Sequence, residues 1–149
     1  AEETFSFYIG AEYIEPTPKE MIEYESLNDI LEKNNRDTSC VPRWIPKGYI
    51  LDDIVISETP MQETYVAIYL YEDRLLKISL QSYLSSIPEK IEFSDEILEI
   101  YTVSGIDYYI MKNNNLTQAA WITQNYECYI SGELTTEEIK IMIDSIGKG

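Results

Sequence analysis

Histidine is absent from the 149 residues of this chain, and that absence excludes more chemistry than any residue present supports. Ser-His-Asp and Cys-His catalysis, imidazole-held zinc, the H-E-x-x-H helix and facial-triad iron all need the missing side chain. Cysteine is nearly as scarce. Cys40 and Cys128 are the 2 present, too few for a four-thiolate zinc site or a disulfide scaffold. If they pair, the connectivity is unique. The bridge would close a long loop worth about 4 kcal/mol in chain entropy, and it requires Cα atoms within about 7 Å. We expect two buried free thiols, with the bridge as the alternative.

Positive charge is also in short supply. Lys+Arg number 11 against 27 Asp+Glu, a formal charge of -16, so phosphate backbones and anionic lipid surfaces are repelled and nucleic acid is excluded as a partner. No apolar run approaches the roughly 18 to 20 residues of a membrane span, and no basic amphipathic helix occurs, so this chain does not itself insert into a membrane. There is no P-loop, G-x-G-x-x-G or EF-hand loop, and no cofactor is expected. The chain begins Ala1-Glu2-Glu3, which suggests a removed secretory signal or a piece of a longer protein.

What is present is patterning. Near the C-terminus, Ile139, Met142, Ile143 and Ile146 recur at i, i+3, i+4 and i+7 and share one helical face. Thr135 and Glu138 form a T-x-x-E capping box, Leu134 and Ile139 a hydrophobic staple, and Gly147 is placed to stop the helix. Towards the N-terminus, Thr4 to Ile9 alternates as a strand, Thr17-Pro18-Lys19-Glu20 reads as a helix start, and Ser26 opens a helical stretch in which Leu27, Ile30 and Leu31 share a face until Asn34-Asn35. An ordered, proline-punctuated loop follows from Thr38 to Gly48.

Seven short stretches then read as strands: 49–57, 64–71, 75–83, 97–103, 106–112, 116–123 and 126–130. Most separators are short and polar: Glu72-Asp73-Arg74, Ser104-Gly105, Asn113-Asn114-Asn115 and Gln124-Asn125. Only antiparallel neighbours can use them, since a parallel crossover needs a dozen or more residues. Residues 84–96 are the most loop-like interior region. The expected fold is therefore α+β: one domain over 1–149, with a curved, mostly antiparallel sheet of about six to eight strands and helices on one face, the C-terminal helix among them. Residues 1–25 are its least defined part.

Candidate sites are few. Carboxylate hydrolysis needs two acids facing each other at a defined separation. Asp52-Asp53, Glu96 with Glu99, and Glu137-Glu138 qualify only by being acids, and Glu138 already has its capping duty. A calcium site of Asp and Glu oxygens has no defining spacing here. The 13 tyrosines invite a binding reading. Tyr65, Tyr69 and Tyr71 would line one face of a strand, with Val66, Ile68 and Leu70 on the other. Cross-strand aromatic ladders are ordinary sheet stabilisers, and Trp44 and Trp121 read as core anchors. If these five lie at the surface instead, they form a ligand or partner surface. The sequon Asn115-Leu116-Thr117 reads as part of a turn.

Val41-Pro42-Arg43-Trp44-Ile45-Pro46-Lys47-Gly48-Tyr49 resembles the P-x-x-(L/I)-P-x-G-Y opening of a bacterial family, domain of unknown function 4367. The close resembles it too: Trp121, then Tyr126 and Tyr129, Gly132, and Thr135 to Glu138, with Val103-Ser104-Gly105 as the mid-domain hairpin. The likeness covers about residues 26–146. It implies an extracytoplasmic module of Gram-positive bacteria, secreted or anchored at the cell surface, often following one membrane helix in proteins similar to anti-sigma factors. It implies no catalytic residues. A fold-level analogy to half-barrel lipoprotein carriers and their periplasmic sensors is looser. The expected function is thus a non-enzymatic extracytoplasmic sensing or protein-interaction module whose partner is an unidentified protein. Its rivals are a carrier of a small apolar, lipid-like ligand and a carboxylate-dependent hydrolase.

Overall fold

A computed structural model describes residues 26–83 and 96–146. The expected strand at 4–9, the helix start at Thr17, most of the 84–96 stretch and Gly147 lie outside the described residues. Among the described residues nine elements follow in order: α1 (Leu27–Lys33), β1 (Ile50–Glu58), β2 (Gln62–Tyr71), β3 (Arg74–Tyr83), β4 (Ile97–Val103), β5 (Ile106–Asn113), β6 (Leu116–Ile122), β7 (Glu127–Gly132) and α2 (Thr136–Asp144). The strands form one unclosed sheet in the order β1-β2-β3-β7-β6-β5-β4. Every neighbouring pair is antiparallel.

Two meanders make the sheet, β1-β2-β3 and β4-β5-β6-β7, joined where β3 pairs with β7. Their turns explain the tight connections. Ser104 and Gly105 have φ of 52° and 82°, the left-handed pair that a two-residue type I′ hairpin requires. At the β1–β2 turn the Thr59 hydroxyl accepts from the Met61 and Gln62 amides. At β6–β7 the Thr123 hydroxyl does the same for Asn125 and Tyr126, so both turns close on a threonine that substitutes for a backbone acceptor.

Register fixes two faces. One row crosses all seven strands as Ile54, Ala67, Ile78, Ile130, Ala119, Ile110 and Glu99. The next row carries Tyr65, Leu80, Cys128, Trp121 and Tyr108. Leu27, Ile30 and Leu31 of α1 and Ile139, Met142 and Ile143 of α2 pack on these rows in one continuous core. In β2 the tyrosine and alanine positions are therefore the covered side, and Val66, Ile68 and Leu70 look away from the helices. A tyrosine can be buried there because its hydroxyl reaches a polar rim while its ring stays in the core.

The α2 helix is held as its sequence demands. Thr135 caps it, its hydroxyl accepting from the Glu138 amide at 3.0 Å while the Glu138 carboxylate accepts from the Thr135 amide at 2.9 Å. Leu134 and Ile139 are both buried. At the other end the Ser145 hydroxyl donates to the Met142 carbonyl and accepts from the Arg43 and Trp44 amides at 2.9 and 3.1 Å. The proline loop and the last helix are thereby fastened together. Lys140 bonds Glu99 of β4 at 2.7 Å and Tyr101 of β4 donates to Asp144 at 2.8 Å, tying α2 to that sheet edge.

Candidate interaction surface

The five aromatic residues suggested by sequence do not form a common surface. Tyr65 is 1% exposed and Trp121 0%. Both sit in the helix-covered core, Trp121 with its ring 4.9 Å from that of Tyr108. Tyr69 and Trp44 are half-buried against the same core. Tyr71, at the end of β2, meets Tyr49 edge-to-face at 5.6 Å with Arg74 over its ring. Gly48 beside it has φ +99°, and a Cβ there would stand 3.0 Å from the Tyr71 ring, so the Gly-Tyr step of the opening motif is a packing requirement.

The acids suggested by sequence are not brought together either. Asp52 and Asp53 are exposed on β1 at one edge of the sheet, whereas Glu96 precedes β4, and Glu99 lies in it, at the other. Glu137 is exposed in the first turn of α2. Among the described residues no group of three or more acids or cysteines converges in a way that could hold a metal ion. The sequon threonine, Thr117, is buried and donates to the Leu134 carbonyl at 2.5 Å.

Among the described residues, the two buried acids are ones that sequence reasoning passed over. Glu63, 7% exposed, accepts from Arg36 through Nε at 2.6 Å and Nη2 at 3.1 Å and from the Tyr65 hydroxyl at 3.0 Å. The Arg36 guanidinium holds its carboxyl below the ordinary carboxylate range despite burial. The signal was available: Glu63 shares strand parity with Tyr65 and Ala67. Glu127, 8% exposed, lies on the opposite face, where the Tyr83 hydroxyl bonds one oxygen at 3.0 Å and the Tyr129 hydroxyl bonds the other. Burial and the adjacent carboxylate push both phenols above their ordinary pKa. The cluster is assembled from β3 and β7, strands far apart in sequence, and no local pattern announces it.

That opposite face is the candidate surface. Among the described residues no helix packs on it. Its cross-strand rows run Val55, Val66, Ser79, Tyr129, Ala120, Tyr109, Ile100 and Asp53, Ile68, Lys77, Ser131, Gln118, Met111, Ile97. Val55, Leu70, Leu75, Ile97 and Ile100 are exposed. Scattered exposed aliphatics are normal, but a face that combines them with tyrosines and a desolvated carboxylate has the composition of a recognition surface. Its charges are mainly acidic, with Asp53 near one edge and Asp107 near the other against the central Lys77.

Fold and surface together define an α+β domain with an open antiparallel sheet backed by helices on one side. Residues 39–146 match the model of the family described as domain of unknown function (DUF4367), and the chain belongs to that family. The match begins in the loop after α1 and ends with the last described residue after α2, so it takes in all seven strands. A comparison with curated proteins finds no match.

Proposed function

We propose that this protein is a non-enzymatic interaction module acting outside the cytoplasm in envelope sensing, and that the sheet face opposite α1 and α2 receives a cationic, apolar-bearing protein surface. One observation carries the reading: exposed Val55, Leu70, Leu75, Ile97 and Ile100 share a face with the Tyr83–Glu127–Tyr129 cluster. The choice of partner chemistry follows from charge, since a chain of formal charge -16 repels acidic surfaces and steers basic ones. The extracytoplasmic setting and the sensing role are supported by the usual context of the family, and by that context alone.

The test is site-directed crosslinking in the native cell envelope from Leu75 on the proposed face and from Ile141, exposed on α2. The expected result is a basic protein captured from Leu75 and not from Ile141, with purified binding that weakens at least tenfold in Leu75→Glu and falls as salt is raised. Equal capture from both positions, or binding untouched by Leu75→Glu, would refute the assignment of the face. A reporter fusion that stays in the cytoplasm would refute the location.

A further inference from the structure

Cys40 and Cys128 lie 88 positions apart in sequence, yet both belong to the central core, 2% and 0% exposed. Both are free thiols, and after desolvation the neighbouring Cys40 is the largest influence raising the Cys128 pKa. Cys128 occupies β7 at the middle of the sheet, between Leu80 of β3 and Trp121 of β6. Cys40 comes from the irregular segment between α1 and β1, whose backbone is positioned on both sides of the thiol. Upstream, the Tyr126 hydroxyl donates to the Asp37 carbonyl at 2.8 Å and Asn125 donates to the Asp37 carboxylate at 2.7 Å. Downstream, the Arg43 and Trp44 amides are held by Ser145. A loop fixed at both ends thus delivers one thiol against another in the interior, the preorganisation that a crosslink requires.

We propose that Cys40 and Cys128 are the two halves of a structural disulfide, formed by thiol–disulfide exchange with an oxidised dithiol protein or a glutathione-type disulfide while the chain folds. One cysteine thiolate attacks a sulfur of the oxidant to give a mixed disulfide and release one oxidant thiol. The second cysteine thiolate then attacks the chain's own sulfur in that intermediate, the Cys40–Cys128 bond forms, and the oxidant leaves as its second thiol. Two electrons pass to the oxidant, and the two protons lost by the chain balance those gained by the departing thiols.

Burial decides when the step occurs. Desolvation pushes the Cys128 thiol well above its ordinary pKa, so folded Cys128 offers little thiolate, and the burial of both side chains leaves no path to an external disulfide. Exchange belongs to the folding chain, and the finished bond is shielded from reductants. This makes the pair a structural staple of the 36–49 segment and not a sensor. The inference is independent of the proposed function, because the sheet face opposite α1 and α2 takes no part in it.

The test compares the full chain refolded from the reduced, denatured state in a glutathione redox buffer with the same chain refolded in dithiothreitol. Each sample is unfolded without reductant in the presence of a thiol alkylator and weighed intact. The expected result is no alkyl groups and a mass lower by two hydrogens after oxidative refolding, against two alkyl groups from dithiothreitol. The oxidised sample should melt higher by on the order of 10 °C, and Cys40→Ala should abolish that difference. Two alkylatable thiols after oxidative refolding, a retained glutathione adduct, or equal melting of the two wild-type samples would each overturn the proposal. The wild-type comparison stands even if the variant does not fold.

Discussion

Arg36 meets Glu63 through two parallel hydrogen bonds, and the side chains differ in exposure, 42% for the arginine and 9% for the acid. Arg36→Ala strands a desolvated carboxylate. The expected cost is about 2 kcal/mol, below the roughly 3–5 kcal/mol of a fully buried pair because water reaches the guanidinium. The pH dependence follows from the lowered pKa of Glu63. Its stabilisation is complete above the ordinary carboxylate value of 4.5 and is lost as pH falls through the lower folded value. Urea midpoints of wild type and Arg36→Ala should therefore converge as pH drops from about 6 to about 3. At the alkaline end the sign reverses. Burial raises Tyr108 to about 12 and also raises Tyr126, so stability present below pH 10 should fall as pH rises through the folded values. Phenolate absorbance should show these rings ionising together with unfolding, after the exposed ones. At this scale strand parity was readable from sequence for Tyr65, but the expected strand began at residue 64 and left Glu63 just outside it. Nothing in the sequence announced that Arg36 would arrive to meet Glu63.

The elements were legible because their signals are local. The Ser26 cap and the apolar face of α1, the Thr135–Glu138 box, the Leu134–Ile139 staple and the seven strands all appear where short-range stereochemistry puts them, with ends displaced by one or two residues. Thr135→Ala removes one half of the reciprocal cap and should cost about 1 kcal/mol in denaturant unfolding, with strand content by circular dichroism unchanged. Ser145→Ala tests a contact that only the fold makes. It leaves the Arg43 and Trp44 amides without their acceptor, and we expect a loss of roughly 1–2 kcal/mol together with faster amide exchange at those two positions. The edge strands share a further device: β1 and β4 each carry a register shift, between Leu51 and Asp53 and between Ile97 and Glu99. Such bulges, with the charges of Asp52 and Asp53, discourage edge-to-edge pairing with another chain.

At the scale of the whole molecule, two hairpin meanders share a core only because β3 and β7 pair. Ile78 and Ile130 face each other across that seam, 1% and 0% exposed. Ile130→Ala should cost roughly 2–5 kcal/mol and still unfold in one cooperative step, since both meanders lose the same core. The net charge of -16 adds a global term. Self-repulsion is screened by salt, so the thermal midpoint should rise between about 0.02 and 0.5 M sodium chloride, the reverse of the trend expected for partner binding.

By itself the sequence determined the kinds of element, their tight antiparallel turns, the helix caps, and the exclusion of imidazole chemistry, because each depends on residues within a few positions of one another. The tertiary structure decided which side of the sheet the helices cover. It thereby turned Tyr65 and Trp121 into core residues and left Val55, Leu70 and Ile100 exposed. It also placed Tyr83 against Glu127 and Arg36 against Glu63, and brought Cys40 and Cys128 into one core. Alternation with period two separates two faces without saying which is buried, and that choice falls to the packing of distant segments.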